Sequence, residues 1–215
     1  MKQEIKNEND ITPSNLSMDQ KYWDTRWKNK ETGWDIGYAS PVITDYIDGI
    51  QDKNIAILIP GCGNAYEAEY LVQNGFTDIT LIDFAPLAVE QLKQKFKGNV
   101  NIKILCENFF DHEGCYDLIL EQTFLSAILP TDRNNYVLKM HDLLKINASL
   151  VGVLFNKNFN NPFPPFGGNV EEYNTLFKSH FTINTLELCY NSIAPRKGNE
   201  VFINLTKKEM NEENI

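Results

Sequence analysis

The feature that most constrains this chain is an apolar run, Ile55-Ala56-Ile57-Leu58-Ile59, that stops at Pro60-Gly61 and is followed at once by Gly63. A short apolar run closed by a turn signal reads as a strand covered on both faces, the kind found in parallel sheets. A helical pattern opens near Asn64, a good N-cap, with Glu67 three residues on in the capping-box position. The order is therefore strand, glycine turn, helix. Such a turn lets the backbone approach a ligand and aims free helix N–H groups at it. The pair of glycines falls short of a dinucleotide fingerprint, because Tyr66 stands where a third glycine belongs. Both a nucleotide-like ligand and a purely structural turn fit it.

The next strand narrows the choice. Ile79-Thr80-Leu81-Ile82 ends in Asp83, twenty residues after Gly63. An acidic side chain at that strand tip accepts hydrogen bonds from ribose hydroxyls. The plainer reading is a cap for the helix that opens at Pro86. That helix is expected over residues 86–96, with Leu87, Leu92 and Phe96 inward and Lys97-Gly98 as its stop. Further strands are expected over 101–106, 116–120 and 148–155, and helices over 133–144 and 171–178. Residues 156–168 hold three prolines and two glycines and read as a long ordered loop or lid. Strands over 181–190 and 200–207 close the chain as a hairpin.

Repeated strand–helix alternation means an α/β domain, a parallel sheet covered on both faces, with the hairpin adding an antiparallel edge. Ligands of such sheets sit at the carboxyl ends of the strands, near the point where the strand order reverses. Gly61, Gly63, Asp83, Asn108-Phe109 and Glu121-Gln122 all fall at strand carboxyl ends and would line one crevice.

The 215 residues suit one domain, expected over 19–207, with tails at 1–18 and 208–215. Ser17 and Asp19 are candidate caps for a first helix. The net charge of −9 argues against nucleic acid as a partner. No apolar run is long enough to cross a membrane, and the first ten residues lack the apolar core of a signal peptide. The cysteines, Cys62, Cys106, Cys115 and Cys189, are scattered without metal-ligand spacing, and only three histidines are present. We expect reduced, mostly buried thiols, no metal, a cytoplasmic location and a monomer.

All three tryptophans, Trp23, Trp27 and Trp34, lie within twelve residues. Trp23 and Trp27 share one helical face. They read either as an aromatic mini-core that anchors the N-terminal segment or as a lid whose faces suit a cation such as a sulfonium.

Several stretches together resemble the thiopurine S-methyltransferase-like enzymes, especially their bacterial members and the plant halide/thiol methyltransferases. They are Tyr22-Trp23-Asp24-Thr25-Arg26-Trp27, Gly33-Trp34-Asp35-Ile36-Gly37, Pro60-Gly61-Cys62-Gly63, Asn108-Phe109-Phe110, Glu121-Gln122-Thr123-Phe124-Leu125-Ser126-Ala127-Ile128-Leu129-Pro130 with Arg133, Pro164-Pro165-Phe166 and Arg196-Lys197-Gly198-Asn199-Glu200. The resemblance implies a Rossmann-like seven-stranded fold that uses S-adenosylmethionine to methylate a small nucleophile, a thiol, hydrosulfide or halide. It implies that Trp23, Trp27 and Trp34 close over the cofactor, that Gly61 and Gly63 contact its methionine part, that Asp83 takes the ribose and that Asn108 and Phe109 hold the adenine. Glu121 and Gln122 would contact the cofactor, or Glu121 would simply cap its strand. The family usually has Asp in place of Asn108, which implies weakened adenine binding. Many relatives have Phe-Cys in place of Leu125-Ser126, a change in the wall near the reacting sulfur.

Methyl transfer from a sulfonium destroys charge and needs positioning and exclusion of water more than an acid or base. The absence of a nucleophile–base constellation fits that, so no dedicated catalytic residue is expected. Arg133 and Arg196 are candidates to hold an anionic substrate, or else surface charges or helix-end salt bridges. His112, His141 and His180 read as structural or exposed. Two other readings stay open: a cofactor-binding protein without catalysis, and a methyltransferase for a macromolecule.

Overall fold

The apolar run forms β1 (Ile57–Pro60), buried along its whole length. It sits inside a seven-stranded sheet of order β3-β2-β1-β4-β5-β7-β6, in a computed structural model that describes residues 18–209. Ser17 and the expected tails, apart from Met18, Lys208 and Glu209, lie outside the described residues. β2 (Ile79–Asp83), β3 (Ile102–Cys106), β4 (Tyr116–Gln122) and β5 (Leu144–Phe155) run parallel to β1. The chain leaves β1 toward β2 and β3, then returns to lay β4 on the other side of β1. The order therefore reverses between β1 and β4, and their carboxyl ends open a crevice there.

The hairpin differs in detail from its expected place. β6 (Phe181–Leu188) forms the edge, and β7 (Glu200–Lys207) runs antiparallel between β5 and β6. The reversed strand is thus interior. Burial explains it: Val201, Ile203 and Leu205 of β7 are fully buried, whereas β6 carries exposed Thr182, Asn184, Glu187 and Leu188. The strand with the richer apolar face goes inside.

Among the described residues, five helices cover the two faces and a sixth lies across one end. α2 (Pro41–Asp48), α3 (Tyr66–Gln73) and α4 (Pro86–Lys95) pack one core through Ile43, Ile47, Ala68, Leu71 and Leu92. α5 (Arg133–Leu143) and α6 (Val170–Phe177) pack the other through Tyr136, Val137, Met140, Tyr173 and Phe177. α1 (Gln20–Lys28) is capped by Asp19, whose side chain accepts from Tyr22 N at 2.9 Å, and it lies over the crevice end of the sheet.

Three local expectations need correction. The expected capping box of α3 does not form: the residue before the helix is Ala65, held in a left-handed conformation (φ 50°) that turns Asn64 away. Asn64 instead donates to Asp35 at 2.7 Å, and Glu67, buried, accepts from Ser40 N at 3.0 Å and so fastens the start of α2. β5 begins at Leu144, earlier than expected, because Leu144 pairs with Tyr116 across a register shift. The thiols are not mostly buried either: Cys106 and Cys115 are exposed. No helix among the described residues is long and apolar enough to cross a membrane.

Candidate active site

A cavity of about 890 Å³ opens where the strand order reverses. Its floor is the glycine turn. Gly61 and Gly63 both have left-handed backbones (φ 57° and 52°), and a Cβ on Gly61 would run into the Phe124 ring. The turn is tied to β2: Gly63 N donates to one carboxylate oxygen of Asp83 and Ala85 N to the other, each at 2.9 Å. Asp83 thus holds the approach to α4 and still lines the cavity. Burial raises its pKa, and the N–H groups of Ala85, Gly63 and Phe84 pull against that rise.

The tryptophans form one wall. Trp34 meets Trp23 and Trp27 edge-on, with ring centroids 5.8 and 6.1 Å apart. They pack on Ala85, Ala88 and Leu87, and all three face the cavity. The aromatic mini-core is therefore also a wall of the cavity. Arg26 lies over the Trp34 ring at 5.5 Å. The segment is fastened at two further points: Leu87 N donates to Asp24 at 2.9 Å, and Arg196 donates to the Trp34 carbonyl at 2.7 Å.

The opposite wall comes from the loops after β3 and β4. Asn108 accepts from Phe110 N at 3.1 Å through its side-chain oxygen, capping a 3-10 turn. Phe109 packs beneath on Phe124 and Tyr136, with centroids 5.2 and 5.9 Å apart. Gln122 lines the cavity with a buried side-chain oxygen that has no hydrogen-bond partner among the described residues. A buried acceptor of that kind calls for a donor from whatever fills the cavity.

Much of the remaining lining is apolar. Phe124, Phe155, Phe159, Pro164 and Pro165 form it, with Ser126, Lys157 and Arg196 as polar members. Ser126 donates its hydroxyl to the Thr123 carbonyl at 2.5 Å. Arg196 lies over the Phe155 ring at 5.2 Å and reaches Glu200 at 3.3 Å.

The structure gathers Trp23, Trp27, Trp34, Gly61, Gly63, Asp83, Asn108, Phe109, Gln122, Ser126 and Arg196 around this cavity. It does not bring Glu121, Leu125 or Arg133 to the wall. Side chains alternate along a strand, so Glu121 faces the core when its neighbour Gln122 faces the cavity. Glu121 is fully buried and accepts from Phe124 N, Leu125 N and the Tyr136 hydroxyl. Burial pushes its pKa up to about 7, against the pull of those three donors. Leu125 turns into the core beneath the 3-10 turn of residues 124–127. Arg133 is buried at the start of α5 and holds Glu172 and, at 2.7 Å, the Gly167 carbonyl. It fastens the 156–168 loop, which makes it a helix-end salt bridge that carries a loop.

Sequence reasoning missed Arg26, Glu107 and Lys157, which also line the cavity. Glu107 follows β3 directly, and the strand-end rule that found Asn108 reaches it too. Nothing in the spacing marks Lys157.

The cavity's features fit a nucleoside sulfonium: a glycine cradle that a Cβ would fill, a buried acid at the tip of β2, indole rings on one wall and an orphaned acceptor on the other. The family model of thiopurine S-methyltransferase (TPMT) matches residues 18–211. The chain belongs to this family. It is an S-adenosylmethionine-dependent methyltransferase. Among its relatives, the probable thiol methyltransferase 2 of Arabidopsis thaliana is 30% identical over 185 residues, covering 83% of this chain and 81% of that one. The thiopurine S-methyltransferase of Acinetobacter baylyi is 26% identical over 208 residues, covering 85% and 94%. In fold, the chain is similar to the 1,6-didemethyltoxoflavin-N1-methyltransferase of Burkholderia thailandensis, solved with bound 1,6-didemethyltoxoflavin and S-adenosylhomocysteine, with a TM-score of 0.72 at 16% identity over 88% of this chain and 87% of that one.

Proposed function

We propose that this methyltransferase acts on the sulfur of a small thiol, with no residue serving as a dedicated general base. The observation that carries the reading is the cavity itself. It is walled by aromatic rings and prolines and holds Arg196, and no histidine is among its lining residues. S-adenosylmethionine, when bound, supplies an electrophilic methyl group on a sulfonium. Trp23, Trp27 and Trp34 offer that cation π-faces in place of water. Asp83 would take the ribose, Asn108 and Phe109 would border the base, and Gly61 and Gly63 would let the amino-acid end lie against backbone. Arg196, partly neutralised by Glu200, favours an anionic nucleophile over its protonated form. A thiol of ordinary pKa, about 8.5, already offers some thiolate at neutral pH.

The names of the thiol and thiopurine S-methyltransferase relatives support sulfur as the acceptor atom. A hydrosulfide or halide is the second acceptor class, since neither asks for a base. In this reading the enzyme works on a small molecule, as a cytoplasmic monomer without membrane partners, and the net charge of −9 favours the absence of a nucleic-acid partner. The test is a panel assay with methyl-labelled S-adenosylmethionine and hydrosulfide, thiocyanate, iodide, an aryl thiol and a thiopurine. The expected result is the highest kcat/KM on an organic thiol. Turnover of iodide or thiocyanate well above every thiol would replace this reading with the anion one. Cofactor binding with no turnover at all would support a non-catalytic role.

A further inference from the structure

Phe110 N needs an acceptor, and Asn108 supplies its carbonyl oxygen at 3.1 Å. That bond fixes the orientation of the amide and leaves its NH₂, a donor, as the free end. The exocyclic amino group of adenine is itself a donor, so that NH₂ offers it no acceptor. The neighbouring residue does. Glu107 ends β3 and lines the same cavity. One of its carboxylate oxygens is held by His112 Nδ1 at 2.5 Å, and His112 Nε2 meets the Tyr116 hydroxyl at 2.8 Å. A carboxylate accepts only, so Nδ1 carries the proton toward Glu107, and Nε2 engages the Tyr116 hydroxyl. His112 and Tyr116 are both buried, and the His112 carbonyl accepts from Lys139 at 3.0 Å. The other oxygen of Glu107 has no protein partner among the described residues. A buried histidine–tyrosine pair thus orients a half-exposed carboxylate at the rim of the cavity.

We propose that Glu107, oriented by His112 and Tyr116, accepts a hydrogen bond from the adenine amino group of the bound cofactor. The inference rests on the reading of this cavity as the cofactor site.

The test is isothermal titration of the full chain with S-adenosylhomocysteine and with S-inosylhomocysteine, in which a carbonyl oxygen replaces the amino group. The wild type should bind the adenosyl compound roughly 10- to 100-fold more tightly, as expected for a hydrogen bond to a charged group. In Glu107→Gln, His112 would hold the new amide by its oxygen and leave the NH₂ facing the base. The preference should then shrink or reverse in favour of the inosyl compound. Glu107 is partly exposed, so the variant should keep the wild-type melting temperature without ligand. Equal losses for both ligands in the variant would overturn the proposal, since Glu107 would then act elsewhere than on the amino group. A wild type that prefers the inosyl compound, with no change in the variant, would overturn it in favour of Asn108. No binding of either ligand to the wild type would sink the cofactor reading itself, an outcome distinct from both.

Discussion

Replacing Glu121 by Gln tests how the core supports the cavity wall. The Glu121 carboxyl is fully buried and receives Phe124 N, Leu125 N and the Tyr136 hydroxyl. Its pKa rises from 4.5 to about 7 because desolvation outweighs those three bonds. Between these two values the folded protein holds a proton that the unfolded chain has lost. Stability therefore falls as pH rises through that window, at about 1.4 kcal/mol per unit, or ~3 kcal/mol across it. A glutamine keeps an acceptor for the two N–H groups, offers its NH₂ to the Tyr136 oxygen and does not titrate. Urea unfolding of both proteins at pH 5, 6, 7 and 8 reads the effect. Glu67 and Asp83, also raised by burial, are present in both, so the difference between the curves isolates position 121. The wild type should lose ~3 kcal/mol more than the variant between pH 5 and 8. Parallel pH curves would refute the assignment of a buried, ionising carboxyl at this point.

Trp34→Ala should weaken S-adenosylhomocysteine binding in calorimetry far more than it lowers the melting temperature of the ligand-free protein; comparable losses in both would mean that the tryptophan cluster is only a core. Asp83→Ala should cost about 1–3 kcal/mol of cofactor affinity, the worth of charge-assisted hydrogen bonds to the ribose, and an unchanged Kd would take Asp83 out of the site. Arg133→Ala frees the Gly167 carbonyl and Glu172, so it should raise KM for the acceptor while leaving the cofactor Kd alone; a shift confined to the cofactor Kd would contradict its role as the anchor of the 156–168 loop.

The central strands and the crevice were legible because burial on both faces writes itself into the sequence as an unbroken apolar run, and because ligand groups collect where such runs end. The tryptophans were legible as a cluster from their spacing, and the resemblance added their place over the cofactor. What stayed hidden depended on direction. Adjacent residues on β4 point to opposite sides, so Glu121 and Gln122 could not both face a ligand, and the register that decides between them comes from pairing with β5. The same holds for Leu125 and Ser126 in the following 3-10 turn, where one residue packs inward and the next lines the cavity. The capping box failed because a positive φ at Ala65 turned Asn64 toward Asp35, a contact 29 residues away in sequence. The place of β7 inside the sheet depended on comparing the apolar faces of two strands that look alike as patterns.

The measurement that bears most directly on thiol methylation without a dedicated base is the pH profile of kcat/KM for a series of aryl thiols with graded acidity. If the protein only positions the thiolate and excludes water, the profile for each acceptor should rise to a midpoint set by that thiol's own ionisation and shift with it along the series. A single midpoint shared by every thiol would contradict the account and place a titrating group of the enzyme in the reaction itself.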